Sequence, residues 1–158
     1  MGLKKSDISE NEPSESYLGS WHANMIHIDG KKCLLFVNDK KLFNFIVPDI
    51  TRMQVRVLSV IFKSTLACVL SAEGVPERAK AKIMSECESI QYGNTNNKSV
   101  LGSMNDLAFH YKHHIQSEGG VHSHAVPSII KKLNRMPMGA LEYVFPIKAL
   151  KAVYETET

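Results

Sequence analysis

The chain has 158 residues, a length typical of one domain. Hydrophobic residues make up 44% and charged residues 22% of it, which is ordinary globular usage and excludes a fibrous or disulfide-dependent chain. The net charge of +3 permits contact with nucleic acid but does not argue for it, since no run of Lys or Arg exceeds two residues.

The cysteines and the apolar stretches indicate where the protein works. Cys33 and Cys68 lie within apolar segments, which predicts small buried hydrophobes and not a disulfide framework, and favours a reducing compartment. The most apolar stretch, Val55–Leu70, is interrupted by cationic and hydroxyl side chains, so it predicts a core helix and not a membrane span. Because Met1–Pro13 is polar and has no apolar signal-peptide core, we expect a cytoplasmic protein.

The N-terminal half predicts an arm followed by a small sheet. Met1–Ser16 has almost no apolar residues and predicts a flexible N-terminal arm, whereas residues 17–154 predict a single α+β domain. Asp29-Gly30 between two strand-like runs is a strong hairpin signal, because both turn residues must accept a positive φ. We expect a three-stranded antiparallel meander with the second strand central, formed by Asn24–Ile28, Lys32–Val37 and Leu42–Val47.

A buried central helix should follow the meander. Thr51 and Gln54 fit a capping box, and the helix should run to about Glu73 and stop at Gly74. Because apolar residues nearly encircle it, it should pack against the sheet and at least one further helix. The C-terminal half should be rich in helices, with one or two further short strands. Its helices are predicted at Pro76–Cys87, from Ser103 to Gly119-Gly120, at Pro127–Arg135 and at Pro146–Tyr154, and its strands at Ser89–Tyr92 and Leu141–Phe145.

An Asn-rich loop, Gly93–Gly102, leads into the helix that Ser103 is predicted to cap, with Asp106 in its first turn. A helix N-terminus presents amides and partial positive charge to an anion, and Lys98 would add a full charge. The Gly-x4-Gly-Lys-Ser/Thr order of a phosphate-binding loop is missing, and an ordinary capped helix behind a polar turn explains the same residues. The candidate residues for binding an anion or a partner are Asn97, Lys98, Ser99, Gly102, Ser103 and Asn105.

Five histidines lie between positions 110 and 124. His110 and His114 share one face of the predicted helix, and Asp106 lies one turn before His110. Asp106, His110 and His114 are therefore the candidate ligands of a divalent metal, the one cofactor that the sequence indicates. The His-Glu-x-x-His signature is absent and the spacing is permissive but not diagnostic, so weakly basic surface histidines are the favoured explanation and metal binding is the alternative.

Two further segments carry candidate functional residues. Trp21 is predicted to be a core anchor, and the neighbouring His22 could act as a general base, although no nucleophile with a distinctive spacing accompanies it. Lys131, Lys132 and Arg135 could meet a nucleic-acid backbone or could form an ordinary solvated face. No helix-turn-helix pattern supports the stronger of these two interpretations.

Three segments together carry a resemblance. They are Trp21-His22-Ala23-Asn24, the run Asn96-Asn97-Lys98-Ser99-Val100-Leu101-Gly102-Ser103-Met104-Asn105-Asp106-Leu107, and Leu133-Asn134-Arg135-Met136-Pro137-Met138-Gly139. In order and spacing they resemble an uncharacterised bacterial family classed as a domain of unknown function, over about residues 18–150. The resemblance implies a bacterial, cytoplasmic setting associated with mobile elements, and no activity, cofactor or catalytic residue. Lys98 and Lys41 depart from the family pattern, which has Arg and Thr there.

Three functions stay open from the sequence. The first is an accessory or binding protein that contacts a polar or anionic partner, such as nucleic acid, through the Asn97–Asp106 unit. The second is a metal-dependent hydrolase or nuclease-like enzyme that uses Asp106 and His110. The third is an oligomeric partner protein of a toxin–antitoxin or defence system, which an exposed apolar patch would favour. No membrane partner is expected, and the sequence leaves the oligomeric state undetermined.

Overall fold

The computed structural model describes residues 19–87, 90–92 and 98–155. The predicted N-terminal arm and the first half of the Asn-rich loop, residues 93–97, lie outside these described residues. Asn97, one of the candidate binding residues, is among those left outside.

The sheet begins with the predicted antiparallel meander. Asp29 and Gly30 have φ values of 51° and 78°, the left-handed geometry that a two-residue hairpin turn requires. A fourth, short strand pairs parallel with the start of the first, so the strand order is β3-β2-β1-β4. The α+β fold class is thereby confirmed. The strands are β1 (Trp21–Ile28), β2 (Lys31–Asn38), β3 (Asn44–Val47) and β4 (Ile90–Tyr92).

Six α-helices are described, together with a 3₁₀ turn at Gly139–Leu141. Gly74, with a φ of 74°, ends the second helix as predicted. The helices are α1 (Arg52–Arg56), α2 (Leu58–Ala72), α3 (Glu77–Ser85), α4 (Lys98–Ser117), α5 (Val126–Leu133) and α6 (Pro146–Glu155).

The helix predicted after Pro48 is divided into α1 and α2, because Val57 leaves helical geometry with φ −116° and ψ 40°. The capping box is present: the Thr51 hydroxyl accepts from the Gln54 amide at 3.2 Å, and the Gln54 side chain accepts from the Thr51 amide at 2.7 Å. As expected, α2 packs against the sheet and against a further helix, α3. Its outward face is exposed, however, and Cys68 lies on it, so the prediction that Cys68 is buried is wrong.

The strand predicted at Leu141–Phe145 is also wrong. Glu142 and Tyr143 both have positive φ values, 54° and 66°, and two consecutive left-handed residues cannot continue an extended strand. The chain therefore turns back on itself after the 3₁₀ turn, and an isolated bridge between Met138 and Val144 is the β-type pairing that it makes.

Helices cover both faces of the sheet. One face, which we call the aromatic face, carries Trp21, Phe36 and Phe45, and these pack on Phe62 of α2 with ring centroids 5.1 to 5.8 Å apart. The opposite face, which we call the polar face, carries Asn44 and is covered by α4 and α5. Alternation of side chains along each strand separates these two sets of residues.

Candidate functional site

Three buried polar side chains join β3 to the helices on the polar face. The Asn134 side chain accepts a hydrogen bond from the Asn44 amide at 2.9 Å and donates one to the Asn44 carbonyl at 2.7 Å. The Tyr111 hydroxyl donates to the Asn44 side chain at 2.6 Å, and burial raises the pKa of Tyr111 well above its ordinary value. Since β3 is an edge strand, these bonds satisfy backbone groups that the sheet leaves unpaired.

Arg135, the residue that follows Asn134, makes a further contact around the same edge of the sheet. The Arg135 guanidinium donates to both oxygens of Glu73, at 3.2 and 2.8 Å, and the Glu73 side chain is almost fully buried. This bidentate pair links the end of α5 to the end of α2, on the opposite face of the sheet. The segment Leu133-Asn134-Arg135, which belongs to one of the three family motifs, therefore has a structural role, and we call it the clasp. Leu133 packs in the core, Asn134 binds β3 and Arg135 binds the end of α2.

A groove of about 410 Å³ lies beside this clasp, between the end of α5 and α6. Its lining contains three cationic side chains and one carboxylate, and the aromatic ring of Phe145 is 40% exposed there. Tyr143, two residues earlier, is also largely exposed. The lining residues are Arg135, Phe145, Ile147, Lys148, Lys151, Ala152 and Glu155.

The predicted anion-binding unit takes a different form from the one expected. Helix α4 already begins at Lys98, so the prediction that Ser103 caps it is wrong. Val100 is buried one turn before Met104, which extends the apolar face of the helix backwards. Gly102 is tolerated inside the helix at a cost of about 1 kcal/mol relative to Ala. The amides from Gly102 to Asn105 are consequently used by helical hydrogen bonds and cannot be presented to a ligand.

The described side chains of this unit lie at the protein surface. Lys98, Ser99 and Asn105 are exposed, and Ser103 is half-buried. At about 100° per residue, Asn105 lies near Lys98 on the helix circumference, whereas Ser103 lies about 140° away from Lys98. The candidate residues are therefore accessible but do not converge on one point, and their binding role stays a prediction.

The candidate metal ligands are neighbours along α4. His110 Nε2 lies 3.6 Å from an Asp106 oxygen, and the rings of His110 and His114 are 6.5 Å apart. His114 Nδ1 lies 3.8 Å from a Glu118 oxygen, and burial, with Lys132 nearby, lowers the pKa of His114. Within the described part of the chain, no three His, Cys, Asp or Glu side chains are arranged to hold a metal ion. The metal site stays a prediction that the geometry does not favour.

His22 is buried next to Trp21, which is the core anchor that the sequence predicts. Its Nε2 is the one buried side-chain nitrogen or oxygen, among the described residues, that has no hydrogen-bond partner. The nearest acidic oxygen, on Asp39, is 3.8 Å away, which is too long for a hydrogen bond. A role for His22 as a general base stays a prediction.

Sequence reasoning missed a basic and partly apolar surface on α1 and α2. Met53, Val57 and Val60 point outward there and are 78%, 49% and 62% exposed. Helices α1 and α2 carry three cationic side chains, Arg52, Arg56 and Lys63, and no acidic one, and Glu73, which directly follows α2, is buried against Arg135. The absence of any acidic residue between Asp49 and Glu73 was the signal in the sequence that could have found this surface.

The fold and these surfaces define a small α+β protein whose described helices include none that is long and apolar enough to cross a bilayer. A family model, described as a domain of unknown function (DUF6933), matches residues 1–149. The chain therefore belongs to the DUF6933 family. No curated protein matches the sequence.

Proposed function

We propose that this protein is a binding protein for nucleic acid and that it holds its partner in the groove between α5 and α6. The observation that carries the proposal is the lining of the groove, in which Arg135, Lys148 and Lys151 occur together with the partly exposed ring of Phe145. Cations that follow a phosphate backbone, combined with aromatic rings on which bases stack, are the two elements of single-strand binding.

The two lysines are placed to act together. Lys148 and Lys151 are three residues apart on α6, so their side chains leave the helix on the same side. The Arg135 charge is already balanced by Glu73, and Arg135 therefore supplies hydrogen-bond donors more than net charge. Phe145 lies directly before α6 and supplies the groove with one partly exposed aromatic ring.

The proposal also includes the cellular setting in which the protein acts. The resemblance of the three sequence segments to a bacterial family supports a bacterial cytoplasm and an association with mobile elements. The Asn97–Asp106 unit remains the competing location for the anion, because Lys98 and the start of α4 are exposed. The metal-dependent alternative has weaker support, since Asp106, His110 and His114 do not form a metal-holding group.

The test is binding of a fluorescein-labelled 20-nucleotide single strand, followed by anisotropy at two salt concentrations. The double variant Lys148→Gln/Lys151→Gln should weaken binding about tenfold and reduce the slope of log K against log salt by about 1.4, because each lost phosphate contact removes about 0.7. The matched control is Lys31→Gln/Lys32→Gln, which removes two exposed cations at the β1–β2 hairpin.

Three results would contradict the proposal. Absence of salt-dependent binding would remove nucleic acid as the partner. An equal loss in the hairpin control would show that only overall charge matters. A loss in Lys98→Gln that exceeds the loss in the groove variant would move the site to the start of α4, where the sequence first placed it.

A further inference from the structure

Helices α1 and α2 expose a narrow apolar stripe far along the chain from the residues of the groove. Met53 lies in α1, Val57 between the two helices and Val60 in the first turn of α2, and all three side chains are exposed close together in the chain. Large apolar side chains that remain exposed in a row differ from the scattered apolar atoms of an ordinary surface. We propose that this stripe is the docking surface for an acidic, amphipathic segment of a protein partner.

The charges around the stripe indicate the chemistry of that partner. Arg52, Arg56 and Lys63 are exposed on the same two helices. No acidic residue occurs in the chain between Asp49 and Glu73, and Glu73 is buried against Arg135. The stripe is therefore an apolar strip among cations, and a partner with apolar side chains flanked by carboxylates is complementary to it in both respects.

Other occupants fit the stripe less well. In a symmetric dimer that used this surface, the same patch would lie on both sides of the contact. The cations of one copy would then face the cations of the other, which is unfavourable. Nucleic acid would leave the apolar side chains unused. A lipid surface is best bound by aromatic and long aliphatic side chains, and Met53, Val57 and Val60 include no aromatic residue.

The structure also offers a reporter for docking at this surface. Cys68 is exposed on α2, two turns beyond Val60 and about 80° around the helix from it. Cys33 and Cys87 are buried, and burial raises the pKa of the Cys87 thiol to about 12. An environment-sensitive dye should therefore react with Cys68 in preference to the other two thiols.

The experiment selects a random 16-residue peptide library on phage against the full chain, with counter-selection against Met53→Glu/Val60→Glu. Enriched peptides should be acidic and should carry apolar residues at helical spacing. A synthetic copy of an enriched peptide should change the emission of the Cys68 dye. It should also bind at least tenfold more weakly to Met53→Glu/Val60→Glu and about fivefold more weakly to Arg52→Ser/Arg56→Ser.

The control is Phe109→Ser, which removes an exposed apolar residue from α4 and should leave peptide affinity unchanged. Because Met53 and Val60 are well exposed, the glutamate variants should keep the wild-type circular dichroism and melting temperature. Failure to enrich acidic peptides would overturn the proposal, and so would equal binding to the glutamate variant. Stronger capture by vesicles of 30% phosphatidylserine, lost in the same variant, would replace the protein partner by a membrane.

Discussion

The two faces of the sheet are held by different physical means. On the aromatic face, Trp21, Phe36 and Phe45 meet Phe62 of α2 through ring contacts alone. On the polar face, a directed network of hydrogen bonds links Asn44 to Tyr111 and Asn134. Packing of rings tolerates small shifts of the helix above the sheet, whereas the bonds to Asn44 fix the register of an edge strand.

This difference between the two faces explains which surfaces are left available for binding a partner. The aromatic face needs only the inner side of α2, so the outer side of α1 and α2 is left for an apolar and basic surface. The polar face uses Asn134 and Arg135 to close the β3 edge, and the groove with Lys148 and Lys151 is formed beside that clasp. A disturbance of the clasp should therefore reach the proposed nucleic-acid site, and a disturbance of the aromatic packing should not.

The largest effect should come from the aromatic face. Phe62 is fully buried against three other aromatic rings, so Phe62→Ala should lower the free energy of unfolding by about 3–5 kcal/mol. Urea denaturation followed by circular dichroism measures this loss. Phe109→Ala, at an exposed position on α4, should change stability by less than about 0.5 kcal/mol. Similar losses in the two variants would show that α2 does not cover the sheet.

A smaller loss is expected from the polar face. Asn134→Ala should lower the free energy of unfolding by about 2–3 kcal/mol, because the amide and the carbonyl of Asn44 would both lose their buried partners. The variant should also weaken single-strand binding, since residue 134 is adjacent to Arg135 of the groove. Phe62→Ala is the matched comparison: below its unfolding transition it should retain wild-type binding. If both variants lost binding, or if neither did, the inference that the clasp supports the groove would be wrong.

Local signals in the sequence predicted much of the fold. The Asp29-Gly30 turn, the Thr51 capping box and the stop at Gly74 depend on residues that are close together in the chain, and all three are confirmed. The apolar residues Met104, Leu107, Tyr111 and Ile115 recur at helical spacing in the sequence, and they form the buried face of α4. The start of that helix was predicted too late because the polar run Gly93–Gly102 was interpreted as a loop and Ser103 as the cap, although a glycine inside a helix costs only about 1 kcal/mol.

The candidate sites were harder to predict because they depend on long-range partners. Asn44 and Asn134 are 90 residues apart, and Glu73 and Arg135 are 62 residues apart. The sequence near one member of each pair does not indicate the other member. Asn134 and Arg135 could therefore be recognised as part of a motif, but their structural roles could not be predicted. The exposed side of α2 was missed for a related reason, since an apolar run does not tell which of its side chains the sheet will cover.

The smallest change in stability should be the one caused by pH. It should arise in the helices on the polar face, because α1 to α3 contain no histidine. Burial, with Lys132 nearby, lowers the pKa of His114 below its ordinary value of 6.5. Below about pH 6.5 the unfolded chain therefore takes up a proton that the folded chain resists, so stability should fall as the pH decreases towards the folded pKa. Melting temperatures between pH 7.5 and 5 measure this loss, and His114→Gln should reduce it. Lys132→Gln should reduce it in part, by removing the neighbouring cation, and an unchanged profile in both variants would assign the acid sensitivity to other groups.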